Sequence, residues 1–245
     1  MTDGAIVVGA SSGIGEALAR ALAADGYEVG LASRRVEQLK AIGAELPTKS
    51  YVARMDLTEP EVAREAFVEL ADAMDSVDLV VISSGVGHLN RDLEWDLERE
   101  TIDVNVRGCT AIATAALEQF ETNREPGGAK DGHLIGISSV AAVFGNGGAP
   151  AYNASKAFVS TYLEGLRHRQ AGREADVTIT TVEPGFVDTE MAMGDFWMCS
   201  PETAARQILR AVERDRRHVY VTRRWRLVAW LLKALPERAL ERLFT

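Results

Sequence analysis

The 245-residue chain has only two cysteines, Cys109 and Cys199, far apart and in no CxxC pair. That excludes a disulfide scaffold and leaves no thiolate zinc motif, so no metal is expected and a reducing compartment, the cytoplasm, fits best. No apolar run approaches the ~20 residues needed to span a bilayer. No basic stretch precedes the first apolar run at Ala5, so no signal peptide is expected. Basic charge is scarce over most of the chain. Residues 206–245 hold eleven Lys and Arg against four Asp and Glu, a balance of +7, which leaves the other 205 residues at −16. An acidic body of that size argues against nucleic acid as a partner. Repeats and low-complexity segments are also absent, and 47% apolar with 26% charged residues is the composition of a folded globular protein rather than a disordered one.

What is present is alternation. Short apolar runs at Ala5–Val8, Glu28–Ala32, Tyr51–Ala53, Leu79–Ile82, His133–Ile137, Thr178–Val182 and Val219–Val221 are separated by helical patterns at about 13–25, 36–45, 60–74, 94–121, 152–171 and 201–214. Strands alternating with helices of this length predict βαβ units, a parallel sheet of about seven strands covered on both faces, and an α/β doubly wound (Rossmann) fold. No Pro/Gly/Ser linker interrupts the pattern, so one domain is expected over 1–222, with 223–245 as its helical extension. Pro126–Gly132 reads as an exposed turn, and Gly145–Pro150 as a flexible loop ahead of a helix.

The first strand runs into Gly9-Ala10-Ser11-Ser12-Gly13-Ile14-Gly15 and then directly into a helix. Three glycines at a strand-to-helix turn permit a tight bend and close approach of a pyrophosphate, while the helix N-terminus offers free N–H groups. The plain alternative is a helix cap that merely needs glycine; the place of the turn, after the first strand, favours the phosphate reading. The second strand ends Ser33-Arg34-Arg35. NAD-selective sites put a carboxylate about 20 residues beyond the glycines. Here a guanidinium stands instead, and Arg34 suits bidentate recognition of a 2′-phosphate, which points to NADP. Arg35 reads nearly as well as the exposed start of the next helix.

Tyr152-Asn153-Ala154-Ser155-Lys156 sets a phenol and an ammonium on one helix face. A free tyrosine has a pKa of about 10, and acid–base work near neutrality calls for a neighbouring positive field. Ser138-Ser139 closes the preceding strand. With these motifs in order, the chain closely resembles the short-chain dehydrogenase/reductase family over about residues 4–222. The matching positions are Gly9-x-x-x-Gly13-Ile14-Gly15, Asp56-Leu57, Gly85, Asn105, Ser139, Tyr152-x-x-x-Lys156 and Pro184-Gly185-x-Val187-x-Thr189.

The resemblance implies roles. Tyr152 would be the general acid/base, Ser139 would polarise the substrate oxygen, Lys156 would lower the Tyr152 pKa and bind the nicotinamide ribose, and Asn105 would hold a water that relays protons. Asp56 would bind adenine, Val187 and Thr189 the carboxamide, and Ser11, Ser12, Leu57, Ser84, Gly85, Pro184 and Gly185 would complete the cofactor cleft. Taken without the family frame, Asp56 reads as a turn residue, Thr189 as a helix cap and Asn105 as helix packing. Ser83 departs from the family pattern, replacing an asparagine amide with a shorter hydroxyl.

The expected activity is hydride transfer between NADP and a small-molecule carbonyl or secondary alcohol, with ketone reduction the expected direction. A binding-only NADP sensor or scaffold has no need of the full Asn105, Ser139, Tyr152 and Lys156 set, and epimerase-type relatives tend to be longer. Residues 191–198 read equally as a mobile lid over an apolar pocket or as a packed short helix, with Phe144 and His88 as further pocket candidates. The tail joins Arg223-Arg224-Trp225-Arg226 to an apolar stretch stopped by Pro236, and a second short helix at 237–244 carries Leu240, Leu243 and Phe244 on one side. An interfacial membrane helix fits this pattern, but burial against protein is favoured, in a subunit interface or over the substrate cleft. A homo-oligomer is expected, with Trp225 and Trp230 buried in its interface.

Overall fold

The computed structural model describes residues 3–123, 131–191, 194 and 196–244. The turn expected around 126–130 lies outside them, as do the side chains of Leu243 and Phe244. Strands β1 (Gly4–Val8), β2 (Glu28–Ser33), β3 (Ser50–Arg54), β4 (Leu79–Ile82), β5 (Gly132–Ile137), β6 (Val177–Pro184) and β7 (His218–Val221) form one sheet in the order β3-β2-β1-β4-β5-β6-β7. Every pairing is parallel. The doubly wound expectation holds.

Parallel strands need crossovers, and helices supply them on both faces. Period-two alternation along β1 sends Ile6 and Val8 to one face and Ala5 and Val7 to the other. The first face packs under α3 (Pro60–Asp72), α5 (Cys109–Thr122) and α6 (Pro150–Gln170) through Phe67, Phe120 and Leu163. The second packs under α1 (Gly13–Ala24), α2 (Val36–Glu45) and α7 (Pro201–Val212) through Leu18, Leu39 and Ile208. Each of these large side chains is fully buried, which stabilises the fold by about 1.5–3 kcal/mol apiece.

The single long helix expected at 94–121 is broken. α4 (Trp95–Ile102) passes through a π-helical turn at Asp103–Gly108 before α5 begins. A one-residue widening of this kind lets a side chain leave the ordinary ladder, and the side chain it turns is Asn105. The tail forms α8 (Trp225–Ala234) and α9 (Glu237–Phe244). Strand order reverses between β1 and β4, and a doubly wound sheet opens its ligand crevice at such a point, beyond the C-terminal strand ends.

Candidate active site

The register brings the motif residues to one edge. Val8 pairs with Ala32 and with Ile82, so Gly9, Ser33 and Ser83 leave their strands side by side. Gly9 has φ +92°, and a Cβ there would lie 2.5 Å from the Ser84 backbone nitrogen. Gly13 has φ +58° and faces the Thr189 methyl, where a Cβ would come within 2.9 Å. Both positions therefore require glycine. Gly15 sits behind the turn, against the Gly9 carbonyl and Ser83.

A cavity of about 990 Å³ opens along this edge. Its wall includes Gly9, Ser11, Ser12, Gly13, Ile14, Ser33, Arg34, Arg35, Asp56, Leu57, Ser84, Gly85, Ser139, Tyr152, Lys156, Gly185, Val187 and Thr189. Of the residues expected from sequence, Gly15, Asn105 and Pro184 are not on the wall and support it from behind.

The two arginines part company. Arg35 reaches back to the glycine turn, donating from Nε to Ser11 at 3.0 Å and from Nη2 to Ser12 at 2.5 Å. Arg34 points instead toward Glu100, with 3.7 Å between Nη1 and Oε1. Both line the cavity, and Arg35 is the guanidinium held beside the turn. Asp56 accepts from the Thr58 amide and hydroxyl at 3.1 and 2.9 Å, so it caps its own turn as well as lining the cavity. A groove with glycine-only backbone, two serine hydroxyls and a fixed guanidinium fits a phosphorylated dinucleotide.

At the other side of the cavity the reacting groups converge. Ser139 accepts from the Ala141 amide at 3.1 Å, and it neighbours the Tyr152 phenol. Burial pushes the Tyr152 pKa above its ordinary value, and the neighbouring Ser139 hydroxyl works against that. Lys156 is buried, donates to the Ile137 carbonyl at 3.1 Å, and lies 5.8 Å from the Tyr152 ring centre. Desolvation lowers its pKa to about 8, so the ammonium remains the main form at neutral pH. Asn105 accepts from the Val86 amide at 2.9 Å, and it donates to the Val86 carbonyl at 2.8 Å and to Ser155 at 2.9 Å. It fastens the segment after β4 to α6, behind Lys156.

Several functional positions were not read from the sequence. Asn153, between the two catalytic candidates, donates to the carbonyls of Ala141 and Phe144 at 3.0 Å each and so fixes the loop that carries the substrate-side wall. Phe186, Val228 and Leu232 line the cavity, as does Trp225, which is 5% exposed. Trp225 is therefore buried by its own chain over the cavity, which agrees with the expectation of a helix over the substrate cleft and not with that of Trp225 in a subunit interface. The missed signal is Gly185, whose absent side chain leaves the space that the indole fills. Phe144 lines the cavity as expected, but His88 instead pairs with Glu100 at 3.0 Å. The described part of 191–198 is turn rather than helix, anchored by a bridge between Val187 and Cys199, and Ala192, Met193 and Asp195 lie outside the described residues.

Among solved structures, a short chain dehydrogenase of Burkholderia cenocepacia in complex with NADP superposes with a TM-score of 0.82 over 100% of this chain and 98% of that one, at 23% identity. One of Burkholderia phymatum in complex with NAD gives 0.82 over 94% and 92%, at 19% identity. At this identity the likeness shows the fold. In sequence, the chain is 38% identical to an uncharacterized oxidoreductase of Myxococcus xanthus over 192 residues, 76% of this chain and 73% of that protein. It is 33% identical to another of Mycobacterium tuberculosis over 222 residues, 86% and 84% of the two chains. The short chain dehydrogenase family model matches residues 3–197, and with Ser139, Tyr152 and Lys156 gathered in one cavity of a doubly wound sheet, the chain belongs to that family of oxidoreductases.

Proposed function

We propose that this protein is an NADP-dependent ketone reductase acting on a small-molecule carbonyl. The observation that carries the reading is the Ser139–Tyr152 pair, with buried Lys156 behind it, in the same cavity as the Arg35-braced glycine turn. Ser139 donates to the ketone oxygen, and Tyr152 delivers the proton that converts it to a hydroxyl. The bound dihydronicotinamide supplies the hydride. Lys156, as an ammonium, stabilises the tyrosinate left behind, and Asn105 keeps the region around Lys156 in register. The charge balance is complete: one hydride at carbon and one proton at oxygen give the secondary alcohol.

NADP is favoured over NAD because Arg35 and Arg34 stand where an NAD-selective site places a carboxylate. The neighbours in complex with NADP and with NAD leave that choice to this chain's own residues. The unpaired thiols, with Cys109 buried and pushed up to about 11 by desolvation, fit a reducing cytoplasm. No helix among the described residues is long and apolar enough to cross a membrane.

The tail is read as part of the same domain, since α8 supplies cavity wall. Its outer face leaves Leu227, Trp230 and Leu231 at 72%, 71% and 55% exposed. Arg223, Arg226 and Lys233 stand among or beside them, while residues 1–205 carry −16. That complementarity favours the acidic body of a second copy as the cover, giving a homo-oligomer.

NADPH oxidation followed at 340 nm across a panel of ketones tests the activity. Turnover that needs Tyr152 supports it. A protein that binds NADPH yet reduces no carbonyl overturns it in favour of a binding-only role.

A further inference from the structure

The cavity has two ends of different chemistry. At the glycine turn, charged groups gather: Arg35 lies 3.6 Å from Glu190, and Arg34 and Asp56 share the wall. Beyond Ser139 and Tyr152 the wall is made by Phe144, Phe186, Phe196, Trp225, Val228 and Leu232, and no charged side chain among the described residues lines that end.

Trp225 organises this end. Its indole lies on Gly185 so closely that any Cβ there would overlap the ring. Phe186 meets it edge-on at 5.5 Å and 83°, Phe196 at 6.1 Å and 87°, and Trp197 at 6.3 Å and 80°. Arg224, one residue earlier, donates to the Trp197 carbonyl at 2.6 Å and places its guanidinium 5.1 Å from the Trp197 ring centre. The first turn of α8 is thereby clasped to the segment after β6, and the two form one wall.

We propose that the substrate is a neutral, apolar, ring-bearing ketone, and that Trp225 is the residue that sets how large a ring the site admits. This rests on the carbonyl-reductase reading above. The physical grounds are direct. An aromatic wall rewards an apolar ring by area and by edge-to-face contact. A carboxylate placed there would be desolvated with no cation to meet it, which is costly. Trp225, Val228 and Leu232 line the same cavity from one face of α8, so truncating Trp225 enlarges the apolar slot beside them without altering the reacting groups.

The test compares acetophenone, α-tetralone, benzophenone and the anionic phenylglyoxylate. Steady-state kcat/KM is measured with NADPH, and ligand binding is measured by calorimetry on the NADP-loaded Tyr152→Phe protein, which reports occupancy without turnover. α-Tetralone should exceed phenylglyoxylate by at least tenfold in both readouts. Trp225→Ala should raise the benzophenone-to-acetophenone ratio by roughly 10-fold or more, the scale on which apolar pockets discriminate. Trp225→Phe should fall between, and Val228→Phe, which adds bulk to the same slot, should move the ratio the other way. Phenylglyoxylate handled as well as the neutral ketones overturns the substrate class. A Trp225→Ala protein in which every ketone and NADPH itself weaken by one common factor overturns the specificity role. Binding of neutral ketones without reduction by the parent enzyme would instead count against the reductase reading alone.

Discussion

Arg35 donates to Ser12 across the mouth of the glycine turn at 2.5 Å and to Ser11 at 3.0 Å. The end of β2 is thereby tied to the loop that opens α1, and a guanidinium is fixed beside the place where a dinucleotide's phosphates would lie. Arg34, drawn to Glu100, is the looser of the two.

NADPH should therefore bind more tightly than NADH, and the preference should depend more on Arg35 than on Arg34. A hydrogen bond to a charged group contributes about 1.5–3 kcal/mol, so Arg35→Ala should weaken NADPH at least tenfold while leaving NADH within about threefold, since 1.4 kcal/mol is a factor of ten. Arg34→Ala should cost less. Fluorescence titration of both coenzymes decides it, and equal dissociation constants in the parent protein would overturn the coenzyme assignment.

Tyr152→Phe should reduce carbonyl turnover by roughly 10²–10⁴-fold, the usual contribution of a general acid–base group. Coenzyme affinity should stay close to that of the parent, because Phe retains the ring and loses only the hydroxyl paired with Ser139. Activity within a few-fold of the parent would remove Tyr152 from the mechanism.

Much of this site was legible because its logic is local. Gly9 and Gly13 need positive φ at a strand-to-helix turn and have it, and Tyr152 and Lys156 share a helix face by spacing alone, with the Lys156 ammonium 5.8 Å from the Tyr152 ring centre. The parts that sequence misjudged depend on long-range approach. That Arg35 meets Ser11 and Ser12 while Arg34 meets Glu100, 66 residues along the chain, is a matter of three-dimensional approach that adjacent arginines in a sequence do not reveal. The apolar, basic tail fits either a subunit interface or a cover for the substrate cleft, and the approach of Gly185, 40 residues earlier, places Trp225 at the cavity. The π-helical turn at Asn105 leaves no signature in an apolar pattern read at 3.6 residues per turn.

Glu183 gives a prediction for acid. Its side chain is 6% exposed, lies 3.2 Å from His218, and accepts from Ser160 at 2.8 Å. Burial pushes its pKa up, but the nearby His218 ring and the hydrogen bond from Ser160 prevail and hold it below the ordinary 4.5. A carboxylate lowered on folding stabilises above its unfolded pKa and loses that contribution as pH falls through the folded one. Urea midpoints of the parent should therefore drop steeply below about pH 4.5. Glu183→Gln should be less stable at pH 7, by about 1–3 kcal/mol, and should show a shallower acid slope. An identical slope in the two proteins would mean that other carboxylates govern acid unfolding.

The outer face of α8 gives the last prediction. Trp225, Val228 and Leu232 face the cavity, whereas Leu227 and Trp230 are more than two-thirds exposed and touch none of it. A second copy offering its acidic body would cover that face and meet Arg223, Arg226 and Lys233. Light scattering of the parent should then report a mass above the 26.6 kDa of one chain. The double variant Leu227→Ser, Trp230→Ser should shift toward that single-chain mass and keep its turnover, because the substitutions lie on the side of α8 away from the reacting groups. The same arginines would also suit anionic headgroups, each contributing about 1 kcal/mol near such a surface, so sedimentation with phosphatidylserine vesicles is run on the same samples. A parent protein that is monomeric and pellets with those vesicles, while the variant stays in solution, would assign this face to a membrane surface and overturn the oligomer.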